Sequence, residues 1–201
     1  MKDFNQLFGG YSFALTETQI KENVKNLIDT LYENTDRPSN VKELFSHIEI
    51  TSLNTTDNEE KIANLVEKIN ALDEEFPEMG KPAAICELVK NTLTEDVNIT
   101  TVIGFPSAQT FIETKVAETG LSVMAGANEI DMVLSVGKFL QGNYEEVFEE
   151  IQEIKLSCRG AKLKVILEAG LYPTAQDLYK ACILAMEAGA DYIKTSTGKD
   201  A

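Results

Sequence analysis

From Thr18 onward Ile20, Val24, Leu27, Ile28, Leu31 and Tyr32 recur at spacings of three and four, which predicts a leader helix with one buried stripe. Residues 34–40, with Arg37-Pro38-Ser39, break the pattern, because proline restricts its predecessor and cannot continue a helical ladder; they read as a linker. After the linker the period changes. Six apolar, β-branched runs of strand length follow, at 48–53, 83–86, 99–105, 129–135, 163–168 and 191–195, each succeeded by a helical pattern. Strands alternating with helices are βα units on a parallel sheet. Thr56-Asp57-Asn58-Glu59 and Thr174-Ala175-Gln176-Asp177 fit capping boxes at the starts of two of these helices, and Gly126 and Gly189 stand where a helix ends in the left-handed region. Most units run near thirty residues, the size of a βα repeat. Only residues 87–98 separate the second run from the third, a marginal length for a crossover.

Six βα units suit an open doubly wound sheet or an incomplete (β/α)8 barrel. Strands of a doubly wound sheet, buried on both faces, read as near-continuous apolar runs. Here Asp131, Lys164, Glu168 and Lys194 stand within strands or at their ends, and charges converging from several strands describe the active-site end of a barrel. The expected fold class is therefore α/β, a TIM (β/α)8-type barrel incomplete at six units, behind an N-terminal leader helix.

Composition narrows the chemistry. At 201 residues, 43% hydrophobic and 25% charged, the chain has a globular balance and enough length for a proper core. The net charge of −15 argues against nucleic acid, since neutralising phosphates takes clustered Lys and Arg. Cys86, Cys158 and Cys182 are odd in number and lack metal-ligand spacing, so they read as reduced thiols, with no zinc site. No apolar run reaches the roughly 18 residues of a membrane span, and no glycine-rich nucleotide motif is found, so a cytoplasmic protein without a cofactor or metal is expected.

Lys194 ends the sixth run, in Asp191-Tyr192-Ile193-Lys194-Thr195-Ser196-Thr197-Gly198. It fits either a Schiff-base nucleophile, needing desolvation or a neighbouring cation to bring down a pKa of about 10.4, or a lysine snorkelling into solvent. Asp131, bracketed by Ile130 and Met132, is costly in mid-strand unless used or paired. It fits proton transfer, or an ion pair with Lys164 or Lys194. Lys164 and Glu168 alternate onto one face and fit either a buried structural pair or a part in the site's chemistry. Gly104-Phe105-Pro106-Ser107 closes the third strand as a turn, and His47, the only histidine, reads as a boundary residue.

Four of these segments, in this order, resemble the deoxyribose-phosphate aldolases: Thr101-Val102-Ile103-Gly104-Phe105-Pro106, Glu129-Ile130-Asp131-Met132-Val133, Leu163-Lys164-Val165-Ile166-Leu167-Glu168 and the segment from Gly189 through Lys194 to Gly198. The likeness extends upstream through Ala83-Ala84-Ile85-Cys86 and Ile48-Glu49-Ile50-Thr51, so it covers residues 47–201 as a partial barrel and leaves 1–46 as a helical extension. The resemblance implies a class I aldolase that reversibly cleaves 2-deoxy-D-ribose 5-phosphate into acetaldehyde and D-glyceraldehyde 3-phosphate, in deoxyribonucleoside catabolism, without a metal. It also implies roles: Lys194 matches the Schiff-base lysine and Asp131 the aspartate of the proton relay. Lys164, Thr195, Thr197, Thr51, Glu49 and Cys86 match polar neighbours of the substrate, and the partners implied are small phosphorylated sugars and aldehydes, with a homodimer.

The chain departs from the family pattern in four places. Glu49 stands where aspartate is common, and Ala108 replaces the glycine usual after Gly-Phe-Pro. A Tyr-Pro turn is missing after Cys86, and the sequence stops after the sixth strand, before the units that carry a second lysine and the phosphate pocket. The expectation is a truncated form or the ordered part of a longer protein, with little or no turnover by a chain ending at Ala201. The alternatives to the aldolase are an impaired fragment or noncatalytic binding domain, and a different barrel lyase acting on another aldehyde.

Overall fold

The computed structural model describes residues 2–13, 15–35, 38–77, 83–85 and 98–199. In chain order its elements are α1 (Phe4–Gly9), α2 (Glu17–Thr35), α3 (Pro38–Ser46), β1 (Glu49–Thr51), α4 (Glu59–Glu75), β2 (Ala83–Ile85), β3 (Ile99–Ile103), α5 (Ile112–Ala125), β4 (Glu129–Val133), α6 (Val136–Leu140), α7 (Tyr144–Ser157), β5 (Lys162–Ile166), α8 (Ala175–Glu187) and β6 (Tyr192–Lys194). They form two compact units, Ala14–Thr100 and Met1–Phe13 with Thr101–Ala201. These units are defined by packing, whereas the division at residues 46 and 47 separates what carries the family resemblance from what does not.

In the unit Ala14–Thr100, β1 pairs in parallel with β2, Glu49 opposite Ala83 and Thr51 opposite Ile85, and β2 pairs with Ile99 and Thr100 at the start of β3. The cap of α4 is Asn58, whose side chain accepts from the Lys61 amide, and one face of the helix buries Ile62 and Val66 against Ile99 and Ile69 against Ile50. Asp57, in the expected capping box, instead accepts from the Ser52 hydroxyl and the Asn54 amide. Two expectations are corrected here. The leader helix α2 is present, but its stripe of Val24, Leu27, Ile28 and Leu31 is exposed. Periodicity reports that a helix has an apolar face, not that a neighbour covers it. The expected linker at 34–40 also turns out to contain helix: α3 begins at Pro38, because proline is tolerated in a first turn whose N–H has no partner anyway.

In the other unit β4, β5 and β6 pair in parallel, with Asp131 opposite Lys164, Lys164 opposite Tyr192, and Ile166 opposite Lys194. Successive side chains alternate between faces. Ile130 and Met132 join Leu163 and Val165 in a core with Ile151, Ile154 and Leu184 from the helices, while Val133 and Ile166 meet Ala108 and Phe105 in a separate cluster. Gly126 and Gly189 both adopt φ +106 at helix ends, and Thr174 caps α8 by accepting from the Asp177 amide while donating to its carboxylate at 2.7 Å. The short helix α1 escapes the periodic reading, having only Phe4 and Phe8 one turn apart; they pack on Phe148 and Tyr144, with Asp3 as cap.

Lys115 of α5 is one of the largest fully buried side chains, ion-paired with Glu150 of α7 and hydrogen-bonded to Ser135 at 3.2 Å. Gly104 makes room for it: a Cβ there would lie 3.1 Å from the lysine Cε, and its φ of +58 is a conformation glycine accepts without strain. Breaking a buried pair strands the remaining charge. Lys115→Met should therefore lower unfolding stability by about 3–5 kcal/mol in urea titration, and removing the Glu150 charge as well, as Lys115→Met/Glu150→Leu, should recover most of it.

Candidate active site

Three parallel strands bring the charged residues of the resemblance together. Asp131 and Lys164 face each other across β4 and β5, and Lys194 ends β6 two positions further along the register. The Lys194 Nζ lies 2.5 Å from Asp131 Oδ2, and the Lys164 Nζ lies 3.6 Å from Asp131 Oδ1 and 2.5 Å from Glu129 Oε2. Asp131 is wholly buried, whereas the Lys194 side chain is 32% exposed. The carboxylate is thus sealed while the amine above it stays within reach of a small molecule. Of the alternatives for Asp131, the ion pairs with Lys164 and Lys194 are both present. They do not conflict with proton transfer, since a carboxylate that holds an ammonium is placed to accept its proton. Nor does Lys194 extend into solvent as a snorkelling lysine would, because its head turns onto a buried group.

The pairing of Lys164 with Glu168 is corrected. Lys164 goes to Glu129 and Asp131, and Glu168 accepts from the Thr197 amide at 3.0 Å and its hydroxyl at 2.5 Å. Strand alternation fails at Glu168, which has φ +54 and ψ +64 and so leaves the extended conformation. Thr195 is held through its main chain, its carbonyl accepting from the Ala169 amide at 2.7 Å. Glu49 and Thr51 lie on β1 in the other unit, where the Thr51 hydroxyl donates to the Glu49 carbonyl at 3.1 Å. Cys86 lies outside the described residues. His47 is exposed, one residue past α3. Ala108 has φ +58, so the position where the family has glycine is a left-handed one.

Two groups escaped the residue-by-residue reading. Glu129 shares the face of Asp131 by strand alternation, a signal that was available, but only the register shows that Lys164 reaches it. Asp191, just before β6, accepts from Lys155 of α7, from the Leu163 amide at 2.9 Å and from Lys162 at 3.2 Å, tying the starts of β5 and β6 together. Burial works to raise the Asp191 carboxyl, but the hydrogen bonds from Lys155, Leu163 and Lys162 outweigh it and bring it from 3.8 down to about 2. A carboxyl lowered on folding contributes stability that is present above its unfolded value and lost as pH falls toward its folded one. Between about pH 4 and 2 the wild type should lose on the order of 1 kcal/mol that an Asp191→Asn variant does not, a difference read from chemical denaturation at several pH values.

The described cysteines are not activated. Burial pushes the Cys158 thiol up to about 11 and raises that of Cys182. Among the described residues no group of three or more His, Cys, Asp or Glu is placed to hold a metal, and no helix is long and apolar enough to cross a membrane. A cleft of about 970 Å³ opens at the loops after β3 and β4, lined by Pro106, Phe111, Val133, Ser135 and Leu171 among others, with Glu168 in its wall. Neither Lys194 nor Asp131 lines it. The charged strand cluster therefore lies outside the lining of this cleft.

Residues 51–201 match the DeoC/LacD family aldolase. The chain is similar to the deoxyribose-phosphate aldolase of Metamycoplasma hominis, 41% identical over 157 residues that cover 78% of this chain and 71% of the relative. It is similar to that of Clostridium botulinum strain 657 at 41% over 156 residues, 77% of this chain and 72% of the relative. Among solved structures, the tetrameric deoxyribose phosphate aldolase from Aeropyrum pernix matches with a TM-score of 0.68 at 33% identity, over 86% of this chain and 72% of that one. Parallel strands that neighbour one another in chain order agree with these relatives and with a partial (β/α)8-type barrel.

Proposed function

The chain belongs to the DeoC/LacD family of aldolases, and from that premise we propose that it reversibly cleaves 2-deoxy-D-ribose 5-phosphate through a Schiff base on Lys194, as a step in deoxyribonucleoside breakdown. The observation that carries this reading is the Lys194 amine seated 2.5 Å from the sealed Asp131 carboxylate. A lysine attacks a carbonyl only after losing a proton, and Asp131 Oδ2 is placed to take it. The freed amine adds to the substrate C1 aldehyde, and the proton returns to the carbinolamine hydroxyl as it leaves as water. The resulting iminium withdraws electrons from C2. As a base removes the proton of the C3 hydroxyl, the C2–C3 bond breaks, glyceraldehyde 3-phosphate departs, and its former bonding pair becomes the enamine of the two-carbon fragment. Protonation at C2 and addition of water release acetaldehyde and restore Lys194.

Lys164 supports the same site without touching the reacting carbon. Its ammonium, held by Glu129, sits against the second Asp131 oxygen and keeps that carboxylate oriented toward Lys194. The substrate assignment is tested by supplying a panel of phosphorylated sugars and measuring acetaldehyde and triose phosphate. Release from 2-deoxyribose 5-phosphate in preference to ribose 5-phosphate and fructose 1,6-bisphosphate is the expected result. Preferential cleavage of another sugar contradicts it.

A further inference from the structure

Residues 167–169 grip the strand end that carries Lys194 with an irregular register. The Leu167 amide donates to the Lys194 carbonyl at 2.9 Å, and the Ala169 amide donates to the Thr195 carbonyl at 2.7 Å. In a regular parallel ladder two residues on one strand advance two on its neighbour. Here two advance only one, so Glu168 is the extra residue of a bulge, in a left-handed conformation that side chains other than glycine rarely adopt. A bulge re-aims the side chain it carries. The Glu168 carboxylate is buried, and its Oε2 accepts from both the amide and the hydroxyl of Thr197, three residues beyond Lys194. The Thr197 hydroxyl in turn accepts from the Lys199 amide at 3.1 Å, so it is engaged as donor and acceptor within the turn.

We propose that Glu168 is a positioning residue for the aldol chemistry: its bulged backbone and buried carboxylate clasp the turn after β6 and fix the amine of Lys194 over Asp131. The inference rests on the reading of Lys194 as the Schiff-base amine. A backbone held at Lys194 and Thr195 by the Leu167 and Ala169 amides and at Thr197 by the Glu168 carboxylate leaves the β6 end little freedom, and misplacing a reacting group by about 1 Å costs roughly 10²-fold in rate. Strained residues persist where the surrounding contacts over-determine them, and here two hydrogen bonds from one threonine do so.

Glu168→Gly separates the clasp from the strain, because glycine adopts the left-handed conformation freely while the side chain and its two hydrogen bonds are lost. The readout is the rate of borohydride trapping of acetaldehyde on Lys194 as a function of acetaldehyde concentration, alongside the urea midpoint. The expected result is a maximal rate about 10- to 100-fold lower with an unchanged half-saturating concentration. Glu168→Gln, whose amide oxygen can accept the same two donors, should recover most of that rate. Thr197→Val, which loses the hydroxyl donor but keeps the amide, should lose a smaller part of the rate, and the double variant should be no worse than Glu168→Gly, as members of one unit behave. Wild-type rates in Glu168→Gly, or additive losses in the double variant, overturn the proposal while leaving Lys194 in place. An absence of trapping in the wild-type protein overturns the Lys194 reading and the proposal with it.

Discussion

Lys194→Arg is expected to reduce aldol cleavage by roughly four orders of magnitude or more while leaving the fold intact. Arginine keeps the positive charge that Asp131 holds, so the buried carboxylate is not stranded and no large loss of stability follows. A guanidinium is not deprotonated in proteins, however, so it cannot add to an aldehyde. Removing a nucleophile removes the covalent route entirely, leaving only what binding and electrostatics supply. The check pairs the rate of acetaldehyde formation with a urea denaturation curve. Wild-type activity in the arginine variant would show that the chemistry does not pass through this amine.

Asp131→Asn is the second large effect, expected at about 10²- to 10⁴-fold in turnover, the usual worth of a positioned acid or base. Asparagine nearly matches aspartate in shape but takes no proton from Lys194. It also leaves Lys164 and Lys194 beside a neutral group, so a measurable loss of stability accompanies the loss of rate. The two are separable. A rate measured well below the variant's unfolding midpoint reports the relay, and the shift in midpoint reports the pairing. A variant that keeps near-normal turnover would reduce Asp131 to a structural counter-ion.

The parts of the fold and site that could be read from the sequence are those set by local pattern. The alternation in 129–135 and 163–168 places Asp131 and Lys164 on a shared face, and the capping residues around Thr174 and the glycines at 126 and 189 mark helix ends where the structure has them. What was not legible depends on partners distant in the chain. The exposure of Val24, Leu27, Ile28 and Leu31 is invisible to periodicity, which describes a face and not its neighbour. Lys164 chooses Glu129 and Asp131 over Glu168 because strand register and a backbone bulge decide which carboxylates it can reach. Asp191 looks like an ordinary turn residue until Lys155 and Lys162, from 29 to 36 positions earlier, close on it. The buried pair of Lys115 and Glu150 likewise looks like two exposed helix charges in sequence, although they are 35 positions apart and meet only through packing.

The central claim is that Lys194 forms the covalent intermediate. The most direct test is borohydride reduction in the presence of acetaldehyde, followed by intact and peptide mass spectrometry. The account predicts a reduced two-carbon adduct confined to the peptide containing Lys194 and abolished in Lys194→Arg. An adduct on another lysine, or no adduct under conditions where the protein is folded, would contradict it.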